Sequence, residues 1–249
     1  MQFTRSKCIG CGSCRPGADT LSAKPDELVT DPSGLIRHYR GNCQSGALVK
    51  IGRWVSSEDV LHEAIQDRRF YENSRGGVTL SGGEITTQIE FALETLSLLK
   101  VNGIHTAIET NLAANWDRFE LIMPVIDLVI FDIKCMDNAL HQTWTGIPNW
   151  TILANARRIG ARKTPIAVRT PVIPGFNAEP EAIQAIAAFI REFKNLIYYE
   201  LLAFNPLGAD KYKSLGIPYR MENAPVIREE TMQLLQKTAE SQGVETRIA

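Results

Sequence analysis

A glycine pair that follows a short apolar run is the feature of this sequence with the most chemical content. Gly82 and Gly83 come after residues 77–80, which have the composition of a strand, and before a long amphipathic segment. Because glycine has no side chain, the main chain at such a pair can approach a small molecule closely. The same pair also occurs in ordinary turns between a strand and a helix. It therefore indicates a ligand site only together with polar residues that could share it.

Polar residues of this kind follow several strand-like runs of the chain. They are Glu84 beside the glycine pair, Glu109, Asp132, Lys134, Arg169 and Asn205. In an α/β barrel, binding and catalytic groups lie at the C-terminal ends of the parallel strands, so we expect these side chains to converge. A site with both signs of charge suits a zwitterionic ligand, with an amine and a carboxylate, better than a phosphate. The phosphate-binding patterns GxGxxG and GxxxxGK do not occur in the sequence.

The cysteines near the start of the chain form a second group with its own chemistry. Cys8, Cys11 and Cys14 have the spacing of the first three positions in a ferredoxin iron–sulfur run, whereas Ala18 occupies the fourth position. Cys43 is the only other cysteine in this part of the chain, so it is the candidate fourth ligand. The spacing favours one 4Fe–4S cluster over a structural zinc ion, whose ligands usually come as two separate CxxC pairs, and over an empty site.

Composition limits the classes of protein to which the chain can belong. Its 249 residues, 44% of them hydrophobic, suffice for the core of one α/β barrel. The net charge of −1, with acids and bases mixed throughout, gives no basis for binding nucleic acid or an anionic membrane surface. No apolar run approaches the roughly 20 residues of a membrane span, and the first residues lack the apolar core of a signal peptide. We therefore expect a cytoplasmic protein without a disulfide framework.

The pattern along the chain separates a small N-terminal module from a larger α/β region. Residues 1–52 are poor in periodic pattern and carry several prolines and glycines, as expected of a loop-rich module held by a metal. Residues 53–249 begin with a helix that is capped at Ser56 and runs to about Arg69. Strand-like and helical segments then alternate, which predicts parallel strands joined by right-handed crossovers in a (β/α) barrel or a part of one. The predicted strands are 77–80, 105–109, 128–133, 166–169 and 196–202, and the later helices are 87–102, 115–123, 150–159, 179–193 and 228–242.

Six segments together resemble one known family. They are KCIGCGSC at 7–14, GGVTLSGGE at 76–84, GIHTAIETN at 103–111, FDIKCMD at 131–137, VRTPVIPGFN at 168–177 and ELLAFNPLGADKY at 200–212. In this order and spacing they resemble the glycyl-radical-enzyme activating enzymes of the radical S-adenosylmethionine superfamily, the family of the pyruvate formate-lyase activating enzyme. The cysteine run and the segment after Cys43 are similar to the ferredoxin-like insert that many of these activases carry.

The resemblance implies a specific reaction. The family uses a 4Fe–4S cluster with one open iron site to bind S-adenosylmethionine and cleave it reductively. The resulting 5′-deoxyadenosyl radical removes a hydrogen atom from the Cα of one glycine in a partner, the glycyl radical enzyme. The chain would then be a radical S-adenosylmethionine oxidoreductase. It would act as a monomer and receive electrons from a flavodoxin or ferredoxin-type donor. The resemblance leaves the partner undefined among pyruvate formate-lyase, a diol or glycerol dehydratase and a decarboxylase.

Matching the family motifs residue by residue assigns roles in ligand binding. The resemblance implies that Gly83 contacts the methionyl amino group of S-adenosylmethionine, and that Asp132, Ile133 and Lys134 line its other side. Arg169 would lie near the ribose and carboxylate. Gly82, Glu84, Glu109 and Asn205 complete the predicted binding set. Asn205 stands where most relatives have a histidine, and an amide can form hydrogen bonds but cannot ionise.

The sequence departs from the family in one further respect. The CxxxCxxC loop that holds the catalytic 4Fe–4S cluster is absent, because no three of the five cysteines have that spacing. We therefore expect a partial barrel of the radical S-adenosylmethionine type that lacks its first βα unit, in a fragment or late start of a longer activase. The alternative is a shortened paralogue, a non-catalytic docking or electron-transfer iron–sulfur protein. A CxxxCxxC encoded in frame before Met1 would distinguish the two.

Overall fold

The computed structural model describes residues 2–11, 43–49, 52–215 and 217–249. Its strands are β1 (Gln2–Phe3), β2 (Leu48–Val49), β3 (Gly77–Leu80), β4 (His105–Thr110), β5 (Leu128–Asp132), β6 (Ile166–Val172), β7 (Leu196–Ala203) and β8 (Thr246–Ile248). Its helices are α1 (Ser57–Gln66), α2 (Arg68–Ser74), α3 (Ile89–Val101), α4 (Trp116–Ile122), α5 (Asn138–Thr145), α6 (Trp150–Gly160), α7 (Pro180–Ile190), α8 (Ala209–Leu215) and α9 (Glu229–Glu240). In the part of the chain that is described, no helix has both the length and the apolar character needed to cross a bilayer.

The chain divides into two compact units. The first contains Met1–Trp54 together with Asn205–Ala224, and the second contains Val55–Phe204 together with Pro225–Ala249. The sequence predicted a boundary after residue 52 and gave all later residues to one domain. The structure differs by joining Asn205–Ala224 to the N-terminal part.

The first unit contains a small antiparallel pair of strands. Gln2 of β1 pairs with Val49 of β2, and α8 contacts β1. The main-chain N–H of Thr4 extends the pairing by donating to the carbonyl of Ala47 at 2.7 Å. Residues 12–42, which include Cys14, lie outside the described residues. A ferredoxin-like module over residues 1–52 therefore stays a prediction.

The second unit is built on a parallel sheet of six strands. The strands follow one another in chain order from β3 to β8, and every neighbouring pair is parallel. This arrangement confirms the predicted α/β class. Asp132, the last residue of β5, is paired in register with Arg169 in the middle of β6, and Arg169 is paired with Glu200 in the middle of β7, so charged residues lie side by side across three strands.

A local signal in the sequence explains where the first helix begins. The hydroxyl of Ser56 accepts a hydrogen bond from the N–H of Asp59 at 3.1 Å, and the Asp59 carboxylate accepts one from the N–H of Ser56 at 2.9 Å. This capping box satisfies main-chain donors at the start of α1, as predicted. The single helix predicted to run to about Arg69 is instead two helices, because α1 ends at Gln66 and α2 begins at Arg68.

The core lies between the sheet and the helices that cover it. Ile166 and Val168 of β6, Leu96 of α3 and Ile183 of α7 are fully buried, and they belong to one apolar cluster. Burying aliphatic side chains of this size stabilises the fold by about 1.5–3 kcal/mol each. Since this cluster spans the sheet and its crossover helices, the strand ends are held on a rigid platform.

Buried polar groups in this unit have defined partners. The hydroxyl of Tyr199 donates to Thr170 Oγ1 at 2.8 Å, and Thr170 Oγ1 donates to the carbonyl of Ile133 at 2.6 Å. Near the opposite ends of the strands, Asp127 Oδ2 accepts from the N–H of Thr106 at 3.0 Å. Burial raises the pKa of Asp127, but hydrogen bonds from Lys100 and Thr106 outweigh it, so the pKa lies below its ordinary value. These contacts tie strands together where apolar packing alone would leave polar atoms unpaired.

Candidate functional site

One cleft lies at the C-terminal ends of strands β3 to β7, in the second unit, and we call it the ligand cleft. Its volume is about 350 Å³, within the roughly 300–1,000 Å³ range of small-molecule sites. Its lining residues are Ser81, Gly82, Gly83, Glu109, Thr110, Asn111, Ile130, Asp132, Lys134, Arg169 and Leu202. The structure thus brings together six of the nine residues that the sequence assigned to ligand binding.

The glycine pair forms one wall of the ligand cleft. Gly82 has a φ of 131°, a backbone conformation that residues with a Cβ rarely adopt, whereas the φ of Gly83 is not in that region. A Cβ placed on either glycine would meet no other atom within 4 Å. The main chain here is therefore open to a ligand rather than covered by protein.

Glu84 follows the pair but does not line the cleft. Its carboxylate accepts hydrogen bonds from Thr86 Oγ1 at 2.9 Å and from the N–H of Thr86 at 3.2 Å. It also accepts from Thr110 Oγ1 and from the N–H of Asn111, both at 2.9 Å, across to the end of β4. Glu84 therefore holds the glycine loop against the neighbouring strand end and has its acceptor positions occupied by protein donors.

Arg169 lies between two carboxylates. Its Nη1 donates to Glu109 Oε1 at 2.6 Å, and its Nε donates to Glu200 Oε2 at 2.7 Å. Burial lowers the pKa of Arg169, but hydrogen bonds and charges of Glu109 and Glu200 outweigh it and raise the pKa above its ordinary value. The guanidinium is accordingly a permanent cation in a defined orientation.

Glu109 links Arg169 to the glycine loop. The hydroxyl of Ser81 donates to Glu109 Oε2 at 2.6 Å, so each oxygen of this carboxylate has a separate partner. The Ser81 hydrogen bond lowers the pKa of Glu109; burial opposes this, and Arg169 lowers the pKa further, so the net direction is downward. Glu109 is therefore an anion at neutral pH.

Asp132 and Lys134 form the second ion pair of the cleft. Lys134 Nζ is 3.0 Å from Asp132 Oδ2, and the two side chains are 30% and 32% exposed, respectively. Ile133 between them is buried and does not line the cleft, and its N–H donates to the carbonyl of Arg169 at 2.9 Å. Of the FDIK segment, only the two charged side chains therefore face the ligand cleft.

Asn205 belongs to the first unit and has a local role there. Its Oδ1 accepts a hydrogen bond from the N–H of Leu207 at 3.2 Å and caps the short 3₁₀ helix Pro206–Gly208. This contact is a common use of asparagine at a helix start. A ligand contact by Asn205 stays a prediction.

Several cleft residues lie outside the nine that the sequence assigned to ligand binding. Ser81, Thr110 and Asn111 stand inside the segments that carried the family resemblance, so their position next to Gly82 and Glu109 was an available signal. Glu200 also begins one of these segments, but it stands inside a predicted strand rather than at its end. Its importance appears only from the register of β6 and β7, which places it opposite Arg169.

The described cysteines of the first unit have features that suit metal ligands. Gly10 has a φ of 70°, which lets the chain turn between Cys8 and Cys11. Cys43 Sγ accepts a hydrogen bond from the N–H of Leu48 at 3.3 Å. Burial raises the pKa of this thiol, but hydrogen bonds from Ser45, Leu48 and Ala47 outweigh it, so the pKa lies below its ordinary value. A lowered thiol pKa favours the thiolate, which is the metal-binding form.

The complete set of four cysteines is not assembled by the described residues. Cys14 lies outside them, and within residues 2–11, 43–49, 52–215 and 217–249 no group of three or more His, Cys, Asp or Glu side chains could hold a metal ion. The cluster ligands Cys8, Cys11, Cys14 and Cys43 stay a prediction. Cys135, in contrast, is buried beside the cleft strands, and burial raises the pKa of its thiol.

The charges around the ligand cleft define what it can bind. Two carboxylates and two cations line it, and Glu200 adds a third carboxylate behind Arg169, which gives an excess of one negative charge. Such a site can take a ligand that has both signs of charge and a net positive charge. The glycine wall adds main-chain groups that a ligand can reach without a steric barrier.

Comparisons with known proteins agree with this geometry. Residues 42–186 match the profile of the Radical SAM superfamily. The chain is 35% identical over 243 residues to the (2S)-3-sulfopropanediol dehydratase activating enzyme of Klebsiella oxytoca, covering 94% of this chain and 75% of that protein. It is 38% identical over 220 residues to the isethionate sulfite-lyase activating enzyme of Nitratidesulfovibrio vulgaris, covering 86% of this chain and 70% of the relative.

A solved structure is similar in fold as well as in sequence. It is a domain of the pyruvate-formate lyase-activating enzyme from Bacteroides vulgatus, with a TM-score of 0.58 and 30% sequence identity. The match covers 70% of this chain and 99% of that domain. The two chains therefore share the parallel α/β framework on which the ligand cleft is built.

Proposed function

Because this chain belongs to the glycyl-radical-enzyme activating enzymes of the radical SAM superfamily, we propose that its ligand cleft binds S-adenosylmethionine. With one electron from the family's reduced 4Fe–4S cluster, the bound S-adenosylmethionine would be cleaved to methionine and a 5′-deoxyadenosyl radical, and this radical would take a hydrogen atom from a glycine Cα of a partner protein. The chain's own residues bind and orient the ligand. The enzyme class is thus a radical SAM oxidoreductase.

The single observation that carries this proposal is that one cleft is lined both by accessible glycine main chain and by side chains of both charges. Gly82 and Gly83 leave the main chain accessible, as an amino-acid moiety that hydrogen-bonds to backbone requires. Arg169 and Lys134 are cations for a carboxylate, and Asp132 is an anion for an amine. S-adenosylmethionine carries a sulfonium, an amine and a carboxylate, so its net charge of about +1 complements the excess negative charge around the cleft.

The partner in this proposal is a glycyl radical enzyme, and the electron donor is a flavodoxin or ferredoxin-type protein in the cytoplasm. The relatives described above are named as activators of different glycyl radical enzymes, a sulfopropanediol dehydratase and an isethionate sulfite-lyase. Their common feature is the activated partner class rather than one substrate. We assign this chain to the class and to no single partner, acting as a monomer.

We also propose that Cys8, Cys11, Cys14 and Cys43 hold an auxiliary 4Fe–4S cluster. The ferredoxin-like spacing of the first three supports this, as do the hydrogen bonds that lower the pKa of Cys43. None of the five cysteines provides the CxxxCxxC spacing of the catalytic cluster, so the proposal gives this chain no ligand to that cluster. Anaerobic iron and sulfide analysis should find about four irons per chain that are lost on Cys43→Ser.

The test of ligand binding is anaerobic titration calorimetry with S-adenosylmethionine. It is made on the chain, and in parallel on the chain extended by any codons that lie in frame before Met1. Gly83→Ala is the informative variant, because a methyl group there touches no protein atom but adds bulk beside the cleft. We expect at least a tenfold rise in Kd without a change in thermal stability.

The partner reaction is tested by electron paramagnetic resonance. The reduced extended preparation, S-adenosylmethionine and a glycyl radical enzyme should give the doublet of a glycyl radical, and Gly83→Ala should lower its yield. If neither preparation binds S-adenosylmethionine although both are folded and contain iron, the proposed function is wrong. Association with the partner protein without ligand binding would instead favour the non-catalytic docking role, which the missing CxxxCxxC spacing supports.

A further inference from the structure

Glu200 lies behind Arg169 and outside the lining of the ligand cleft. Its side chain is 16% exposed, compared with 36% for Glu109, the other carboxylate that contacts the same guanidinium. It stands on β7, opposite Arg169 in register. We infer that Glu200 is a positioning residue that fixes the plane of the Arg169 guanidinium, so that Arg169 presents its remaining donors to the carboxylate of the ligand.

The hydrogen-bond geometry supports this assignment. Glu200 accepts from Nε and Glu109 from Nη1, so the guanidinium is held at two different nitrogens by carboxylates from two different strands, β7 and β4. A guanidinium is planar and rigid, and two such contacts define its orientation. Nη2 has no hydrogen-bond partner among the residues that the structure describes, which leaves its two N–H groups for a ligand.

The two carboxylates have different surroundings. Glu109 lines the cleft and has a second partner in Ser81, so it belongs to the ligand-facing surface. Glu200 has no place on that surface and contacts it through Arg169. Without Glu200, the long Arg169 side chain would be held at one nitrogen and could rotate about that contact. Ligand binding would then have to restrict this rotation, which costs entropy and weakens binding.

The charge of Glu200 contributes a second effect in the same direction. Glu109 and Arg169 alone would be neutral together, and Glu200 makes the group of three negative. This excess charge is the part of the site that favours a cationic sulfonium over a neutral thioether. Glu200 is therefore expected to influence both the affinity for the carboxylate and the preference for the charged ligand.

The inference rests on the proposed function, and its test separates the two. The variant is Glu200→Met, which keeps a similar length and removes both the charge and the acceptor of the Arg169 Nε–H. The matched control is Glu120→Met, because Glu120 forms an exposed ion pair with Arg162 at 3.2 Å that is not part of the cleft. The first measurement needs no ligand: the ¹⁵N-resolved Nε–H signal of Arg169 should exchange slowly with water in the wild type and rapidly in Glu200→Met.

The second measurement is the calorimetric Kd for S-adenosylmethionine and for the neutral thioether S-adenosylhomocysteine. We expect Glu200→Met to weaken binding of S-adenosylmethionine roughly tenfold, to weaken the thioether less, and to have a smaller effect in an Arg169→Gln background, where only the charge contribution of Glu200 remains. Tenfold corresponds to about 1.4 kcal/mol. Glu120→Met should leave both constants unchanged.

Three outcomes overturn the inference. They are an unchanged Arg169 signal in Glu200→Met, an equal loss of affinity with and without Arg169, and an equal loss with Glu120→Met. If Glu200→Met does not fold, Glu200→Asp provides the same measurements with the charge kept and the contact lengthened, and it should give an intermediate exchange rate. Failure of the wild type to bind S-adenosylmethionine contradicts the proposed function, whereas the Arg169 signal still tests the positioning role.

Discussion

Replacing Glu84 with glutamine should destabilise the glycine loop through one main-chain hydrogen bond. The carboxylate accepts from the N–H of Asn111 on Oε2 and from the N–H of Thr86 on Oε1. An amide has one acceptor oxygen and one donor nitrogen, so in either orientation one of these N–H groups faces a donor. Leaving a partly buried donor without its acceptor costs about 1–3 kcal/mol.

Replacing Glu84 with alanine should lower the free energy of unfolding more than replacing it with glutamine. It removes all four hydrogen bonds of the carboxylate, two of which cross to the end of β4. The hydroxyls of Thr86 and Thr110 can turn to water, so their loss costs less than that of the main-chain N–H groups. We expect a decrease of about 2–4 kcal/mol in the free energy of unfolding, larger than for glutamine.

Urea denaturation followed by circular dichroism measures both variants. Glu72→Gln is the control, because Glu72 is an exposed carboxylate on α2, and it should stay within about 0.5 kcal/mol of the wild type. The affinity for S-adenosylmethionine should fall together with stability, since the loop carries Gly82 and Gly83. A Glu84→Gln protein as stable as the control would refute the bracing role of this carboxylate.

Three further predictions concern the strands around the cleft. Gly82→Ala should lower the free energy of unfolding by about 1–2 kcal/mol because of its positive φ, whereas Gly83→Ala, in the ordinary region, should not, as thermal denaturation would show. Tyr199→Phe should cost about 1 kcal/mol in urea denaturation by removing its buried hydrogen bond to Thr170, and no loss would contradict this. The pKa of Asp127 is lowered in the folded chain, so its contribution is present above the unfolded pKa of about 3.9 and is lost as the pH falls through the folded pKa. Between pH 5 and pH 3 the wild type should therefore lose more stability than Asp127→Asn, and parallel pH profiles would be the opposing result.

Much of the second unit was predictable from local pattern. The predicted strand at 77–80 has the bounds of β3, and the other four predicted strands differ from β4 to β7 by at most three residues at either end. Apolar runs bounded by turn residues carry this information within a few positions. The short elements α5 and β8 of this unit were missed, as was α8 of the first unit. A helix of seven or eight residues and a strand of three have too few periods to stand out from loops.

The sequence by itself determined the chemistry available at the strand ends. Once the strands are parallel and consecutive, Gly83, Glu109, Asp132 and Arg169 come close together, because Gly83 follows its strand and the other three lie in the C-terminal part or the middle of theirs. The family motifs also follow from residue order, which is why the resemblance and the later comparisons agree.

Only the tertiary structure decided which of these groups face a ligand and which hold others in place. Glu84 turned out to bridge two strand ends, and Glu200 to hold Arg169 from behind, although nothing in residue type distinguishes them from Glu109. The reason is that hydrogen-bond partners 27 to 60 residues apart are set by strand register and packing. A carboxylate in a linear sequence carries its charge with it, but its role depends on the donors that the fold brings within about 3 Å.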